Sequence, residues 1–412
     1  MKNLLFTILA CTSIMFGSCE KDDLPIIKEP VEVLDPVAVT KTNPIKLYVH
    51  YMPWFETPET SSDKKWGQHW TMANKNPDKM DANGKREIAS HFYPLIGPYA
   101  SGDETVIEYH LLLMKYSGVD GILIDWYGTR EKYDYPSNKR NTEAIVKVLE
   151  KVGINFAIVY EDQTLRDDLE GEAKIIQAKA DMKYMEDNFF NKANYIKVSN
   201  KPLLLVFGPQ EIKTAANWTN IFSSLKTKPT FVTLYGHSSG ANDANNKNAS
   251  GEYIWVDGTS METKYAAKDN FEVFFGGAYP GFKDFYKEGG WGEQVLAPID
   301  YKDGALFNDL LQMAKTKNVS SLQLITWNDF GEGTMIEPTQ EFQYKYLTQL
   351  QSFSGVTYKT SALEDILEYY NLKKQYKGQN IKGRKLQQAF YYFVSLQADK
   401  AKQILTEVKN QQ

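Results

Sequence analysis

Leu322-Gln-Leu-Ile-Thr-Trp-Asn-Asp-Phe-Gly-Glu-Gly-Thr-Met-Ile-Glu-Pro338 is the stretch on which the reading of this chain turns. The apolar run from Leu322 to Ile325 has the character of a short buried strand, continuing to Trp327. It runs out into Asn328 and then into two carboxylates three residues apart, Asp329 and Glu332, the second flanked by Gly331 and Gly333. A strand that delivers acids into a glycine-hinged loop suits sugar chemistry. Paired carboxylates supply an acid and a base, and Trp327 offers a flat face for a pyranose ring.

Working outward from that strand, seven further β-type runs precede it. They are Lys46 to Tyr51, Val119 to Tyr127, Asn155 to Tyr160, Pro202 to Phe207, Thr230 to Tyr235, a weak Tyr253 to Val256, and Phe271 to Phe275. Between them lie stretches of helical period, namely Glu104 to Tyr116, Thr142 to Val152, Glu172 to Phe190, Gln210 to Leu225 and Leu306 to Lys317. Alternation of strand and helix argues for an α/β protein with a parallel sheet. Eight strands predict a closed (β/α)₈ TIM barrel over about 45–350. From Gln340 onward the chain is polar and helix-like, and Glu364 to Tyr376 and Gln387 to Val408 predict a helical extension over 351–412 packed outside the barrel.

In such a barrel, function sits in the loops that follow the strands. Trp54 follows the first run, Asp125, Trp126 and Tyr127 end the second, and Glu161 follows the third. His237 follows the fifth, Asp257 the sixth, Tyr279 the seventh, and Trp327, Asn328, Asp329 and Glu332 end the chain's last strand. Acids and aromatics therefore gather on one predicted rim, which argues for a carbohydrate site. Asp125 and Glu161 suit sugar hydroxyls. Trp54, Trp70, Trp126, Tyr127 and Trp327 suit stacking, and His69, His237 and Asn328 suit hydrogen bonding. The first βα connection, about Met52 to Asp103, is unusually long and carries Trp66, His69, Trp70, His91, Tyr93 and Tyr99. It is too aromatic for disorder and is expected to form a wall of the cleft.

The bulk numbers exclude several classes. A chain of 412 residues with 42% apolar and 24% charged residues has an ordinary globular core. Its net charge of −5 offers no basic field to nucleic acid. Aromatics reach 13%, with 26 Tyr and 8 Trp. The five histidines show no His-Glu-x-x-His spacing, and no metal or cofactor is expected. Lys2 and the short apolar run Leu4 to Phe16 read as a signal segment over 1–18, too short to span a bilayer. Phe16-Gly-Ser-Cys19 resembles a bacterial lipobox, with Cys19 as the lipidated first mature residue. Glu20-Lys-Asp-Asp23 resembles the acidic signal that sends some Bacteroidetes lipoproteins to the cell surface. The expectation is a lipid anchor in the outer membrane, facing the surface or otherwise the periplasm. The alternative is an ordinary cleaved secretory signal. Residues 19–44, with Pro25, Pro30, Pro36 and Pro44, are expected to be a tether.

Several segments, in order, resemble one family. Tyr48-Val-His-Tyr-Met-Pro-Trp-Phe55, Gly67-Gln-His-Trp70 and Pro94-Leu-Ile-Gly-Pro-Tyr-Ala-Ser-Gly-Asp103 are similar to glycoside hydrolase family 99, the endo-α-mannosidases and endo-α-mannanases. So are Glu108-Tyr-His110, Gly118-Val-Asp-Gly121, Asp125-Trp-Tyr-Gly128 and the segment Trp327 to Pro338. The resemblance runs from about Ile45 to Thr348. It implies a metal-independent barrel that cleaves internal α-linkages of mannan or a related α-glycan. In the family two glutamates in a Glu-x-x-Glu pattern act on the substrate. The first activates the sugar's own 2-hydroxyl, which attacks the anomeric carbon. The second protonates the leaving oxygen and then activates water. The resemblance assigns the acid/base position to Glu332 and the first position to Asp329. That aspartate is the departure from the pattern, because its carboxylate reaches about 1.5 Å less than a glutamate's. The backbone compensates, or the chemistry follows the related family 71 of α-1,3-glucanases, which pairs Asp with Glu and inverts, or the barrel binds glycan at the surface without cleaving it.

Overall fold

A computed structural model describes residues 30–258 and 261–410, so the expected signal segment and Cys19 lie outside the described residues. Eight parallel strands close into a barrel. They are β1 (Lys46–Tyr51), β2 (Gly121–Trp126), β3 (Asn155–Tyr160), β4 (Lys201–Val206), β5 (Thr230–Leu234), β6 (Ala249–Tyr253), β7 (Val273–Ala278) and β8 (Ser321–Leu324). β8 returns to β1, with Lys46 opposite Ser321 and Val49 opposite Leu324. Period-two alternation sets what each strand shows to either side. On β1, Leu47, Val49 and Tyr51 point outward beneath the helices, and the Tyr51 hydroxyl lies 2.9 Å from His110 Nδ1. Tyr48 and His50 point inward, Tyr48 against Phe275 and His50 against Trp255.

The outer layer holds α1 (Glu104–Tyr116), α2 (Tyr135–Val152), α3 (Glu172–Met185), α4 (Ala215–Phe222), α5 (Ala305–Thr316) and α6 (Lys345–Ser354). The carboxylate of Asp103 caps α1 by accepting from Thr105 N, and Gly153 ends α2 in the left-handed conformation. α4 is shorter than the predicted Gln210 to Leu225 for a local reason. The backbone N–H groups of Gln210, Glu211 and Ile212 all turn into the buried Asp162 carboxylate instead of starting a helix.

Two predicted elements are corrected. The sixth strand is Ala249–Tyr253 rather than Tyr253 to Val256. Its sequence hides it, because Gly251 is required where the carbonyl of Val273 would sit 1.6 Å from any Cβ, and Glu252 is buried while accepting from Gly236 N and Ser238 N. The stretch Gln387 to Val408 is two helices, not one. α7 (Thr360–Gln375) is followed by α8 (Asn380–Val394) and α9 (Ala398–Asn410), and the chain turns between the last two at Leu396, φ 62°. α7 lies on α1, where the buried Glu108 carboxylate meets the Tyr369 hydroxyl and Lys373 Nζ.

The described part of the expected tether is not a free spacer. Glu32 N donates to Gln388 Oε1 at 2.7 Å, Val37 N to the Val394 carbonyl at 3.1 Å, and Lys41 pairs with Asp120. Residues 30–44 are therefore strapped across α8 and the barrel.

Candidate active site

At the C-terminal ends of the strands lies a cavity of about 260 Å³. β1 supplies His50, and the connection behind it supplies Met52, Trp54, His69 and Met72. β2 and β3 contribute Asp125, Tyr127, Glu161 and Gln163. Phe207 and Trp255 follow β4 and β6, the loop after β7 brings Tyr286 and Trp291, and the loop after β8 brings Asp329, Gly331 and Glu332. The long first loop does wall the cleft, and Trp54 stacks on His69 with ring centroids 4.2 Å apart. His69 is oriented by Asp134 Oδ2, 3.1 Å from its Nε2.

The β8 loop is tightly built. Asp329 N donates to Thr326 Oγ1 at 2.8 Å, and Asp329 Oδ1 accepts from Glu332 N at 2.9 Å. This bond fixes the two acids relative to one another. The Tyr286 hydroxyl donates to Glu332 Oε1 at 3.0 Å, while Glu332 Oε2 is free of protein partners. Loss of hydration pushes the Asp329 carboxyl up to about 7, with the charge of Asp125 adding to it. Loss of hydration and the neighbouring Asp329 push Glu332 up to about 8. Burial likewise raises Glu161 well above the usual carboxylate range, with Asp125 adding to it. Glu161 and Asp125 lie against one another, no other group satisfies Glu161 Oε2 or the two buried oxygens of Asp125, and His50 Nε2 lies 3.9 Å from Asp125 Oδ1. Buried acids left so, facing a cavity, are groups held ready for a polar ligand.

The structure brings together Trp54, His69, Asp125, Tyr127, Glu161, Asp329 and Glu332. It does not bring Trp70, Trp126, Trp327, Asn328 or His237 to the cavity, and for Trp126 the reason is alternation. Asp125 points in, so its neighbour Trp126 points out and stacks on Tyr184 of α3. His69 faces the cavity on a helical turn, so Trp70 faces backward onto Phe55 and donates to the Tyr99 carbonyl. Trp327 is fully buried against His110. The Asn328 amide ties the β8 loop to the backbone N–H and carbonyl of Met52, at 2.8 and 2.9 Å. His237 is exposed, outside the cavity, against the outer pocket beside Gly236 and Gly240. Sequence reasoning missed His50, Phe207, Trp255, Tyr286 and Trp291. The β1 alternation could have found His50. Tyr286 opens a single helical turn, Tyr286–Gly289, and Trp291 follows it between two glycines, which is too short a stretch to show a period.

Comparison with known proteins decides the family of the chain. Residues 43–362 match the family model of glycosyl hydrolase family 99. The chain belongs to that family. It is thus a glycosidase, an endo-acting α-glycoside hydrolase by class. The glycoprotein endo-α-1,2-mannosidase of Xenopus laevis is 22% identical over 372 residues, covering 79% of this chain and 78% of its own. The human glycoprotein endo-α-1,2-mannosidase-like protein is 22% identical over 323 residues, covering 71% and 68%. A solved GH99 endo-α-mannosidase from Bacteroides thetaiotaomicron shares the fold, with a TM-score of 0.57, 19% identity, and coverage of 78% of this chain and 98% of that one. Among the described residues no cluster of His, Cys, Asp and Glu has the arrangement of a metal site.

Proposed function

We propose that this protein cleaves internal α-mannosidic bonds of mannan or a closely related α-linked glycan, with Glu332 as acid/base and Asp329 as the assisting base. The observation that carries the reading is the pair itself. The two acids line one cavity, are linked through the Glu332 N–H to Asp329 Oδ1 bond, and have their carboxyls held far above the usual range. Relatives named as endo-α-mannosidases support the choice of sugar.

The chemistry follows from the two protonation states. Asp329, ionised, removes the proton of the sugar 2-hydroxyl, and that oxygen attacks the anomeric carbon. The bond to the leaving oxygen breaks as Glu332, protonated, delivers its proton there. An epoxide-like intermediate results, and no covalent bond to the enzyme forms. Glu332, now ionised, takes a proton from water, which opens the epoxide at the anomeric carbon. Asp329 returns its proton to the 2-oxygen. The anomeric centre is inverted twice, so its configuration is retained. The shorter Asp329 is served by the loop, which anchors its backbone N–H on Thr326 Oγ1 and its carboxylate on the Glu332 N–H.

The test is reducing-end release from yeast mannan, linear α-mannans and α-1,3-glucan. Cleavage of an α-mannan is expected, with the Glu332→Gln variant folded and inactive. Cleavage of α-1,3-glucan alone would reject mannan as the substrate. Binding of a glycan without release of any reducing end would reject catalysis.

A further inference from the structure

The acids in the cavity form an ordered row. Asp125 and Glu161 come from neighbouring strand ends, with Glu161 N donating to the Trp126 carbonyl at 3.0 Å. Asp329 feels the charge of Asp125, whereas Glu332 feels Asp329 and Asp284. Beyond Glu332 comes Tyr286, hydrogen-bonded to it, and beyond Tyr286 comes Trp291, whose ring lies nearly parallel to it at 6.4 Å and 17°. The row therefore runs from a buried acidic floor at the ends of β2 and β3, across the reacting pair, to an indole at the mouth.

Trp291 is unlike the other tryptophans of the cavity. It is 40% exposed, while Trp54 and Trp255 are half-buried. An indole left in water costs hydrophobic burial unless something covers it. Its backbone is also specially made. Gly290 and Gly292 on either side have φ of 77° and 142°, conformations that L side chains rarely adopt. The base of the segment is pinned to the first loop, with Ala73 N donating to the Gly289 carbonyl at 2.9 Å and Asn74 Nδ2 to the Glu288 carbonyl at 2.8 Å. His69 meets the indole edge-on at 5.6 Å. The platform is held in place rather than hanging free.

We propose that Trp291 is the platform for the sugar on the leaving-group side of the scissile bond, the first aglycone residue of an α-linked oligosaccharide. This rests on the assignment of Asp329 and Glu332 given above. The sugar whose 2-hydroxyl faces Asp329 lies toward the acidic floor. The leaving oxygen lies at Glu332, so the departing sugar extends toward Tyr286 and Trp291. The apolar face of a pyranose covers the exposed indole there, and its hydroxyls stay in water.

The experiment compares two substrates with the same glycone on wild type and on Trp291→Ala and Trp291→Phe. One is an α-manno-oligosaccharide with a sugar leaving group. The other is the corresponding α-glycosyl fluoride, which has no aglycone sugar. For Trp291→Ala the loss of kcat/KM on the oligosaccharide should exceed the loss on the fluoride by about tenfold, about 1.4 kcal/mol of aglycone interaction. Trp291→Phe should recover part of that difference. Equal losses on both substrates, or no loss on either, overturn the platform while leaving the catalytic assignment standing. A wild-type protein that neither cleaves nor binds the oligosaccharide overturns both.

Discussion

Tyr286 is the residue through which the acid/base assignment can be read most finely. Its hydroxyl bonds to Glu332 Oε1 and favours the ionised carboxylate, which opposes the rise caused by lost hydration and by Asp329. In Tyr286→Phe the carboxyl keeps its proton to higher pH. The basic limb of the pH–kcat/KM profile should move upward, and the rate at the optimum should fall about tenfold, the scale of one hydrogen bond to a charged group. A basic limb that stays or moves downward would detach Tyr286 from the acid. At this scale the sequence was half legible. Residue types and their place at strand ends showed that acids and aromatics share a rim. They did not show which member of an adjacent pair faces inward. Asp125 and Trp126 were read together, and so were His69 and Trp70, although alternation and helical rotation allow only one of each to reach the cavity.

The element that best shows how the barrel is held is α1, buried on one side by the strands and on the other by α7. Glu108 is 4% exposed and has Tyr369 and Lys373 as partners from α7. Lys373→Met would leave that carboxylate inside without its counter-charge, at a cost of about 3 kcal/mol. Burial already raises the Glu108 carboxyl above its ordinary value of 4.5, and losing Lys373 raises it further. A raised folded-state value means that the unfolded chain sheds its proton first, so the deficit should widen as pH climbs above about 4.5 and shrink below it. Urea unfolding at two pH values reads both. Lys374→Met is the control, because its pair with Asp103 is partly exposed and should contribute under about 1 kcal/mol. A Lys373→Met deficit no larger than the control's would show that the carboxylate rehydrates. Elements with clean periodicity were legible to the residue, as with Lys46–Tyr51, Asn155–Tyr160 and Glu104–Tyr116. β6 was not, because close approach to β7 demands glycine and its buried glutamate serves backbone N–H groups of another loop. The turn at Leu396 carries no glycine or proline to announce it, and the packing of α9 against α8 decides it.

At the scale of the whole molecule, the barrel gathers four acids at one end. Asp125, Glu161, Asp329 and Glu332 share one cavity, where the charge of Asp125 opposes ionisation of Glu161 and Asp329, and that of Asp329 opposes ionisation of Glu332. The family was legible from ordered segments spread along the chain, and the family model now covers residues 43–362. The far side of the cleft was not legible, since Tyr286 and Trp291 lie in a loop positioned by Met72, Ala73 and Asn74 rather than by any pattern of its own. The central claim is that Asp329 and Glu332 divide base and acid between them, and the measurement that tests it most directly is kcat/KM against pH on an α-mannan. Activity needs Asp329 ionised, so it should rise as pH passes about 7, and it needs Glu332 protonated, so it should fall as pH passes about 8. The pair titrates as a unit, so a narrow bell between those values is the expected profile, absent in Glu332→Gln. A rate that stays flat from pH 5 to pH 9, or a Glu332→Gln variant with the wild-type profile, would contradict the account.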